Sequence, residues 1–438
     1  MESNDSETAS SRKRIASVFI GVGVIVLISG LLINPWTVHL YRANAANYQD
    51  VTLTYFTASS LIGILIIICG AVLRFTTFKV FEGITLLVVV SALIVLSDRL
   101  LLAFAGLPLW VADAENHYVH RANAVRTWGT KYEKKLIRIN QYGHHDRDFP
   151  IGKTEGEFRG LALGDSITMG HGVTAEETFS GQLENMLGEK SGRKFEIINT
   201  GVQGYATFQE YNVLVDSLKF KPDFITIQFC VNDLTEPFIF DRRFGGTGTH
   251  FSGVAQQSSA IVSYFLNETG YGRTVQRIRD QQKTLEFEQQ LDTYNTKKAA
   301  GSQVDDPTFS ESWKITLSHL DKIYEIGETE NIRVVLLICP HTFQIVDERL
   351  RRPQKILAEH AKSRNVDVID FTDVFDKLIF ERATVTKLLE DGVSTDEIEE
   401  RHKKSISTYF LDQDHYTVEG HRIVAHEIYE YLSKHYSF

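Results

Sequence analysis

A serine stands where an apolar run ends, in the stretch LALGDSITMGHGV at residues 161–173. Ser166 directly follows Gly164 and Asp165, at a point where the pattern predicts that a strand gives way to a helix. A serine hydroxyl is a poor nucleophile until a neighbouring base accepts its proton, and short motifs recur by chance. Ser166 is therefore a candidate nucleophile only if the chain also supplies a base, an orienting acid and oxyanion donors.

The stretch FLDQDHYTVEGH near the C-terminus supplies the base and the acid. Asp412 and His415 are three positions apart, and side chains at that spacing share one face of a helical turn. We expect Asp412 to accept a hydrogen bond from Nδ1–H of His415, which leaves Nε2 to take the serine proton. Asp414 also precedes His415, but adjacent side chains diverge, so Asp412 is the predicted orienting acid. His421 and His426 are expected on the surface of the following helix.

In two further stretches, INTGVQGYAT and IQFCVNDL, the end of a predicted strand is followed by glycine or polar residues. Gly204 lacks a Cβ, so its N–H can approach a substrate oxygen closely, although turn glycines are common. Asn232 carries an amide NH₂ that can donate to an oxyanion, or it can close an Asx turn. The amide of Ser166 is a third candidate donor. From the residues alone, both interpretations of Gly204 and Asn232 stay open.

The elements that would position these residues alternate between apolar runs and helical stretches after residue 157, which predicts a parallel sheet covered by helices. Ligands of such sheets bind beyond the carboxyl ends of the strands, where Ser166, Gly204 and Asn232 all stand. The predicted strands are 158–163, 195–199, 224–230, 332–339 and 366–370.

One connection in this pattern is too long for a simple crossover. A helix at 312–326 can link the third and fourth strands, which leaves about 235–309 as an insertion. The insertion is either a lid or docking arm near the strand ends, or a solvated helical excursion.

Three runs near the N-terminus contain no charged residue: 15–34, 51–73 and 83–97. The first two runs are long enough to cross a bilayer core of about 30 Å, and the third, which is shorter, would also use Val80 and Phe81 or tilt. We therefore predict a membrane anchor at 15–97 and a cytoplasmic tail at 1–14. The first run is too long for a cleaved signal peptide. Residues 98–157 are predicted to be an interfacial or linking segment.

Positive charge sets the predicted orientation, because basic residues are enriched in cytoplasmic loops. The cations are Arg12, Lys13 and Arg14 before the first run, and Arg74 and Lys79 after the second. Three crossings then place the domain at 158–438 on the exported side of the plasma or inner membrane. If the third run does not cross, that domain faces the cytoplasm.

Composition limits the partners and cofactors. The 438-residue chain carries a net charge of −10, which argues against a nucleic-acid partner. Its three cysteines, Cys69, Cys230 and Cys339, lie in apolar runs without CxxC spacing. They therefore indicate buried thiols rather than a disulfide framework or a zinc site. A serine nucleophile with a histidine base calls for no metal and no organic cofactor.

Taken together, Gly164-Asp165-Ser166-Ile167, Gly204, Asn232-Asp233 and Asp412-x-x-His415 resemble, in matching order, the four sequence blocks of SGNH hydrolases, also called GDSL esterases/lipases. The resemblance covers about 158–438. It implies a three-layer α/β/α fold with a five-stranded parallel sheet, and hydrolysis of carboxylic esters.

The resemblance also implies roles for individual residues. Ser166 would be the nucleophile, His415 the base and Asp412 its orienting acid. The oxyanion hole would consist of the Ser166 N–H, the Gly204 N–H and the Asn232 side chain. Two residues depart from the family pattern: Ile167 replaces a leucine, and Cys230 replaces a glycine, where a larger side chain bears on the position of the Asn232 loop.

The run TYFLDQDHYTVEGH is also similar to the ending of membrane-anchored bacterial members, some of which serve polysaccharide O-acetylation. The expected function is a membrane-tethered serine esterase that cleaves acyl esters, O-acetyl among them, on cell-envelope glycans through an acyl-enzyme. Two alternatives stay open: an O-acyltransferase that uses the same residues on a glycan hydroxyl, and a non-catalytic glycan-binding or assembly subunit. A serine-directed phosphonate would label Ser166 in either enzyme but not in the third.

Overall fold

A computed structural model describes residues 2–32, 49–75, 90–91, 93–101, 109–113, 115–129, 134–191, 193–235, 269–272 and 293–436. Most of the predicted insertion at 235–309 lies outside these residues. The chain divides into two compact units, the first from 1–108 and 258–288, the second from 109–257 and 289–438.

The first unit contains two long helices, α1 (Glu2–Leu32) and α2 (Gln49–Phe75), and a helical stretch at 93–101. Ala16 of α1 and Cys69 of α2 are among its buried side chains. Both helices are apolar over much of their length, as the uncharged runs predict.

No helix among the described residues is both long enough and apolar enough to cross a membrane. The spans predicted at 15–34 and 51–73 therefore have no support in the structure. The third predicted span, 83–97, lies partly outside the described residues, which include only 90–91 and 93–97 of it.

The second unit is built on a five-stranded parallel sheet, whose strands lie side by side in the order 195–199, 158–163, 224–230, 333–339 and 367–370. The strands are β5 (Phe158–Leu163), β6 (Phe195–Asn199), β7 (Phe224–Cys230), β8 (Arg333–Cys339) and β9 (Asp367–Asp370). All residues of β5, β6 and β7 are buried, and most of them are apolar, as expected of strands covered on both faces. Arg159 and Glu196 are buried charged exceptions. The predicted sheet is confirmed.

Helices cover both faces of this sheet, which confirms the three-layer fold. Alternate residues of β5 point to opposite faces: Ala162 contacts one apolar cluster, and Leu161 and Leu163 contact the other. The helices are Ser166–Met169, Phe179–Ser191, Thr207–Ser217, Thr293–Ala300, Ser310–Thr329, Thr342–Val346, Arg352–Ser363, Phe371–Ile379, Arg382–Glu390, Thr395–Arg401, Lys403–Tyr409 and Val418–His435.

Two hairpins precede the sheet in the same unit. They pair β1 (Trp110–Asp113) with β2 (His117–His120) and β3 (Val125–Gly129) with β4 (Lys134–Arg138). Ile137 of β4 is fully buried in a cluster that includes Met169, three residues after Ser166. The segment predicted as a linker thus contributes structure next to the serine.

Candidate active site

Ser166 lies at the carboxyl end of β5, at the start of the short helix Ser166–Met169. Asp165 caps that helix, because its carboxylate accepts from the Ile167 N–H at 2.7 Å. The Asp165 N–H in turn donates to Oε1 of Gln228 on β7 at 3.1 Å. These contacts fix the strand-to-helix turn and leave Ser166 3% exposed.

His415 lies between Ser166 and Asp412. Its Nε2 is 2.8 Å from Ser166 Oγ, and its Nδ1 is 2.8 Å from Asp412 Oδ2 and 3.0 Å from Oδ1. These distances fit an imidazole that donates from Nδ1 to the carboxylate and accepts from the serine at Nε2. The structure therefore brings together the three residues that the sequence analysis singled out.

The turn that holds Asp412 and His415 is not the helical turn that their spacing suggested. Asp412 Oδ1 accepts from the backbone N–H groups of Asp414 at 3.2 Å and His415 at 2.9 Å, an Asx-type turn. An isolated bridge between Phe410 and Tyr416 closes the loop. The same two residues meet as predicted, but side-chain capping of the backbone, rather than helical periodicity, sets their geometry.

The carboxylates around His415 shift its pKa. Burial by itself lowers the pKa of His415, but the charges of Asp414 and Asp412 outweigh burial and raise this pKa above its ordinary value, which favours the imidazolium that forms when His415 takes the serine proton. Burial likewise raises the pKa of Asp412, but the charge and hydrogen bonds of His415 lower it below its ordinary value. Asp414 does not diverge as expected, since its Oδ1 lies 3.5 Å from Nδ1 of His415. The imidazolium is thus stabilised by two carboxylates.

A second histidine, which the sequence analysis did not single out, contacts the first. The ring of His171 stacks on that of His415, with centroids 4.3 Å apart and planes inclined by 29°. His171 follows the GDSITMG stretch directly. Its position just beyond the serine helix was the only available signal, and that signal does not predict a stacked partner.

The candidate oxyanion donors stand at the ends of neighbouring strands. Gly204 follows β6 in a turn with φ of +74°, a conformation that favours glycine. Asn232 lies in the 3₁₀ turn Val231–Leu234 directly after β7 and is 7% exposed. Within the described part of the chain, the N–H groups of Ser166 and Gly204 donate to no other protein group. Both are therefore available to an incoming oxygen.

The two other histidines of the last helix differ in their placement. His426 is exposed, as expected. The prediction for His421 is wrong: it is fully buried, and its Nδ1 accepts from the Phe179 N–H at 3.2 Å. This hydrogen bond joins the helix Val418–His435 to the helix Phe179–Ser191, and the two helices pack on the same face of the sheet.

Comparison with known proteins identifies the family. The sequence model of the GDSL-like Lipase/Acylhydrolase family matches residues 162–423, more than half of the chain. The chain belongs to this family. It is accordingly a serine hydrolase that acts on carboxylic esters, and Ser166, Asn232, Asp412 and His415 all lie within the matched region. No curated protein matches the sequence.

Several solved structures are similar to this chain at low sequence identity. An acetyl xylan esterase, AlAXEase, is 16% identical and covers 63% of this chain and 100% of its own, with a TM-score of 0.35. The lipase/acylhydrolase from Enterococcus faecalis is 14% identical over 64% of this chain and 96% of its own, with a TM-score of 0.34. Axe2, an acetylxylan esterase from Geobacillus stearothermophilus, is 13% identical over 62% and 93%, with a TM-score of 0.33.

Proposed function

We propose that this hydrolase is a membrane-tethered esterase that removes small acyl groups, O-acetyl above all, from cell-envelope glycans. The observation that carries the catalytic part of the proposal is the placement of His415, 2.8 Å from Ser166 Oγ on one side and 2.8 Å from Asp412 Oδ2 on the other. A base so held has its accepting nitrogen directed at the nucleophile.

The proposed reaction begins when Nε2 of His415 takes the proton of Ser166 as Oγ attacks the ester carbonyl. The resulting imidazolium is stabilised by Asp412, which does not itself need to be protonated. Collapse of the tetrahedral intermediate expels the alcohol, which receives the proton from His415. Water then attacks the acyl-serine by the same proton transfers and releases the acid.

The negative oxygen of each tetrahedral intermediate needs hydrogen-bond donors. We assign this role to the N–H groups of Ser166 and Gly204 and to the side-chain amide of Asn232, which stand at the carboxyl ends of three adjacent strands. Removing one such donor from a serine hydrolase costs about 3–4 kcal/mol of transition-state stabilisation. An Asn232 variant is thus expected to lose most of its turnover.

The size of the acyl group is inferred from exposure at the reacting atoms. Ser166 is 3% exposed and Asn232 7% exposed, so the carbonyl must reach a nearly closed recess. A short acyl chain meets fewer steric conflicts there than a long one. The glycan part rests on the similarity of the run TYFLDQDHYTVEGH to members that serve polysaccharide O-acetylation.

The test is a panel of esters offered to the full-length protein and to Ser166→Ala. We expect acetyl esters to be cleaved faster than octanoyl esters, and no cleavage by the variant. A serine-directed phosphonate should modify Ser166 of the wild type. Preference for long chains would refute the acyl-size inference, and failure of the probe to label Ser166 would refute the mechanism.

A second assay identifies the acceptor of the acyl group. Purified protein given an acetyl ester and an oligosaccharide should release acetate at the rate at which ester disappears. If acetate release falls short and acetylated oligosaccharide accumulates, the acyl-enzyme transfers to a sugar hydroxyl, and the protein is a transferase.

The tether is proposed from side chains of the N-terminal helices. Large apolar residues are exposed on α1 and α2, among them Val18 at 63%, Ile25 at 68% and Ile68 at 51%. Exposed apolar surface on this scale is favoured in lipid and disfavoured in water. A reporter fused after Phe438 that functions only outside the cytoplasm should be active if the proposed topology holds. Activity of a cytoplasm-only reporter would contradict it.

A further inference from the structure

Three donor groups from different elements meet beside the proposed catalytic residues. Cys230 ends β7, His341 follows β8, and Asp414 lies in the loop that carries His415. One ligand atom from each, a thiol sulfur, an imidazole nitrogen and a carboxylate oxygen, lies within 4.8 Å of the others. Cys230 occupies the position where the family pattern has glycine, so this donor is a departure particular to this chain.

The donor set suits zinc better than a hard cation. Zinc binds thiolate at about 2.3 Å and imidazole or carboxylate at about 2.0–2.2 Å, usually in a tetrahedron, whereas calcium and magnesium prefer oxygen ligands. A tetrahedron with these bond lengths separates neighbouring donor atoms by about 3.3–3.7 Å. Since the three atoms lie within 4.8 Å of one another, each pair has to close by at most about 1.5 Å, which side-chain rotation can supply.

The three groups differ in accessibility in a way that suits metal capture. Cys230 is fully buried and His341 6% exposed. The Asp414 side chain is 14% exposed. Two ligands are thus held by the packed ends of adjacent strands, while the third, on the outer loop, can admit the ion.

We propose that Cys230 Sγ, an imidazole nitrogen of His341 and a carboxylate oxygen of Asp414 bind one zinc ion. The fourth coordination position is left to water. Binding forms a zinc–sulfur bond, and the thiol proton of Cys230 passes to solvent. With Asp414 ionised, the three groups carry a charge of −1 before binding and 0 after it, because one proton leaves as Zn²⁺ arrives.

This change affects His415. Asp414 Oδ1 lies 3.5 Å from Nδ1 of His415, where it stabilises the imidazolium formed during acyl transfer. When Asp414 binds zinc, its negative charge is neutralised by the metal and no longer stabilises the imidazolium of His415. Bound zinc therefore inhibits ester cleavage. Inhibition rests on the proposed function, whereas zinc binding does not.

The binding test uses Co²⁺ as a spectroscopic probe on the full-length protein. We expect one Co²⁺ per chain and a near-ultraviolet band from charge transfer between thiolate and cobalt. Cys230→Ala should lose the band. Cys339→Ala, which removes the buried thiol paired with Cys230 across the adjacent strand, should keep it. His341→Ala should weaken binding at least as much as the loss of an outer-shell partner does, about 10–100-fold.

Other outcomes overturn the site. Absence of a thiolate band in the wild type, or a band that survives in Cys230→Ala, refutes it. A metal held instead by Asp412, Asp414 and His415, whose donor atoms also lie within 4.8 Å of one another, would bind without that band. Cys230→Gly, the family residue, is a second variant in case alanine disturbs folding, which far-ultraviolet circular dichroism would report.

Measurements of ester cleavage with and without zinc distinguish the zinc-site proposal from the proposed function. Micromolar zinc should slow ester cleavage by the wild type and by Cys339→Ala, and chelator should restore it. A thiolate band with no esterase activity would support the site and refute the function. Full activity that zinc does not change, in protein shown to bind it, would refute the inhibitory role.

Discussion

The imidazole of His171 stacks on the imidazole of His415, with ring centroids 4.3 Å apart. Burial, and secondarily the charge of His415, lowers the pKa of His171 to about 3, so His171 is neutral near neutral pH. A neutral ring can pack against the imidazolium without repelling it. The contact holds the plane of His415 while its two nitrogens face Ser166 and Asp412.

His171→Ala removes the stacked ring and leaves the proposed catalytic groups in place. Small displacements of a catalytic group reduce turnover by about 10- to 100-fold, and we expect kcat to fall within that range while KM changes little. His171→Phe, which keeps a flat ring, should recover most of the loss. Equal defects in the two variants would show that the ring nitrogens, rather than stacking, matter.

Ser166→Ala tests the nucleophile. The hydroxyl is removed from a nearly buried position without any change in the backbone, so thermal unfolding should stay close to that of the wild type. Acyl-enzyme formation, followed by mass spectrometry with a slow ester, should be abolished. Cleavage at the wild-type rate by this variant would be incompatible with a serine mechanism.

Asp412→Asn and Asp414→Asn separate the two acids beside His415. Asp412 is nearer to Nδ1, at 2.8 Å against 3.5 Å, and also caps the turn through backbone N–H groups. In a comparable triad, the same change to asparagine lowers turnover by about 10⁴-fold. We expect a large loss in Asp412→Asn, although smaller than that value, and a modest one in Asp414→Asn. Turnover measured on one soluble ester decides the matter, and the reverse order would show that Asp414 orients the base.

Buried histidines predict a loss of stability in acid. Burial lowers the pKa of His120 to about 3 and that of His144 to about 4, with neighbouring positive charge adding to the effect. An unfolded histidine titrates near 6.5, so below that pH the unfolded state binds protons that the folded state does not. The free energy of unfolding should therefore fall from pH 6.5 to about 4, by as much as about 1.4 kcal/mol per pH unit for each histidine.

Urea unfolding at several pH values measures this slope. His144→Phe is the matched control, because a phenyl ring can keep the edge contact with Phe220 without titrating. Its stability should depend less steeply on pH than that of the wild type. An unchanged slope would mean that His144 does not contribute.

The positions of several strands can be predicted from local sequence. Strands β5, β6 and β7 begin and end where the sequence pattern predicts, because strands buried on both faces are mostly apolar. Ser166, Gly204 and Asn232 follow those strands within five residues, and the carboxyl ends of parallel strands meet at one edge. The fold was therefore predictable from residue type, spacing and order, whereas the catalytic roles of these residues, which the family resemblance implies, stay predictions.

Tertiary packing decided the contacts between distant parts of the chain. His171 meets His415, His421 accepts a hydrogen bond from Phe179, and the short segments around these residues carry no periodic signal of either contact. Cysteine spacing indicated no metal site, yet strand register places the end of β7 beside the end of β8, and the His415 loop brings Asp414 to both. Such proximity depends on which strands pair and how a loop closes, and neither is encoded in the spacing of residues along a single segment.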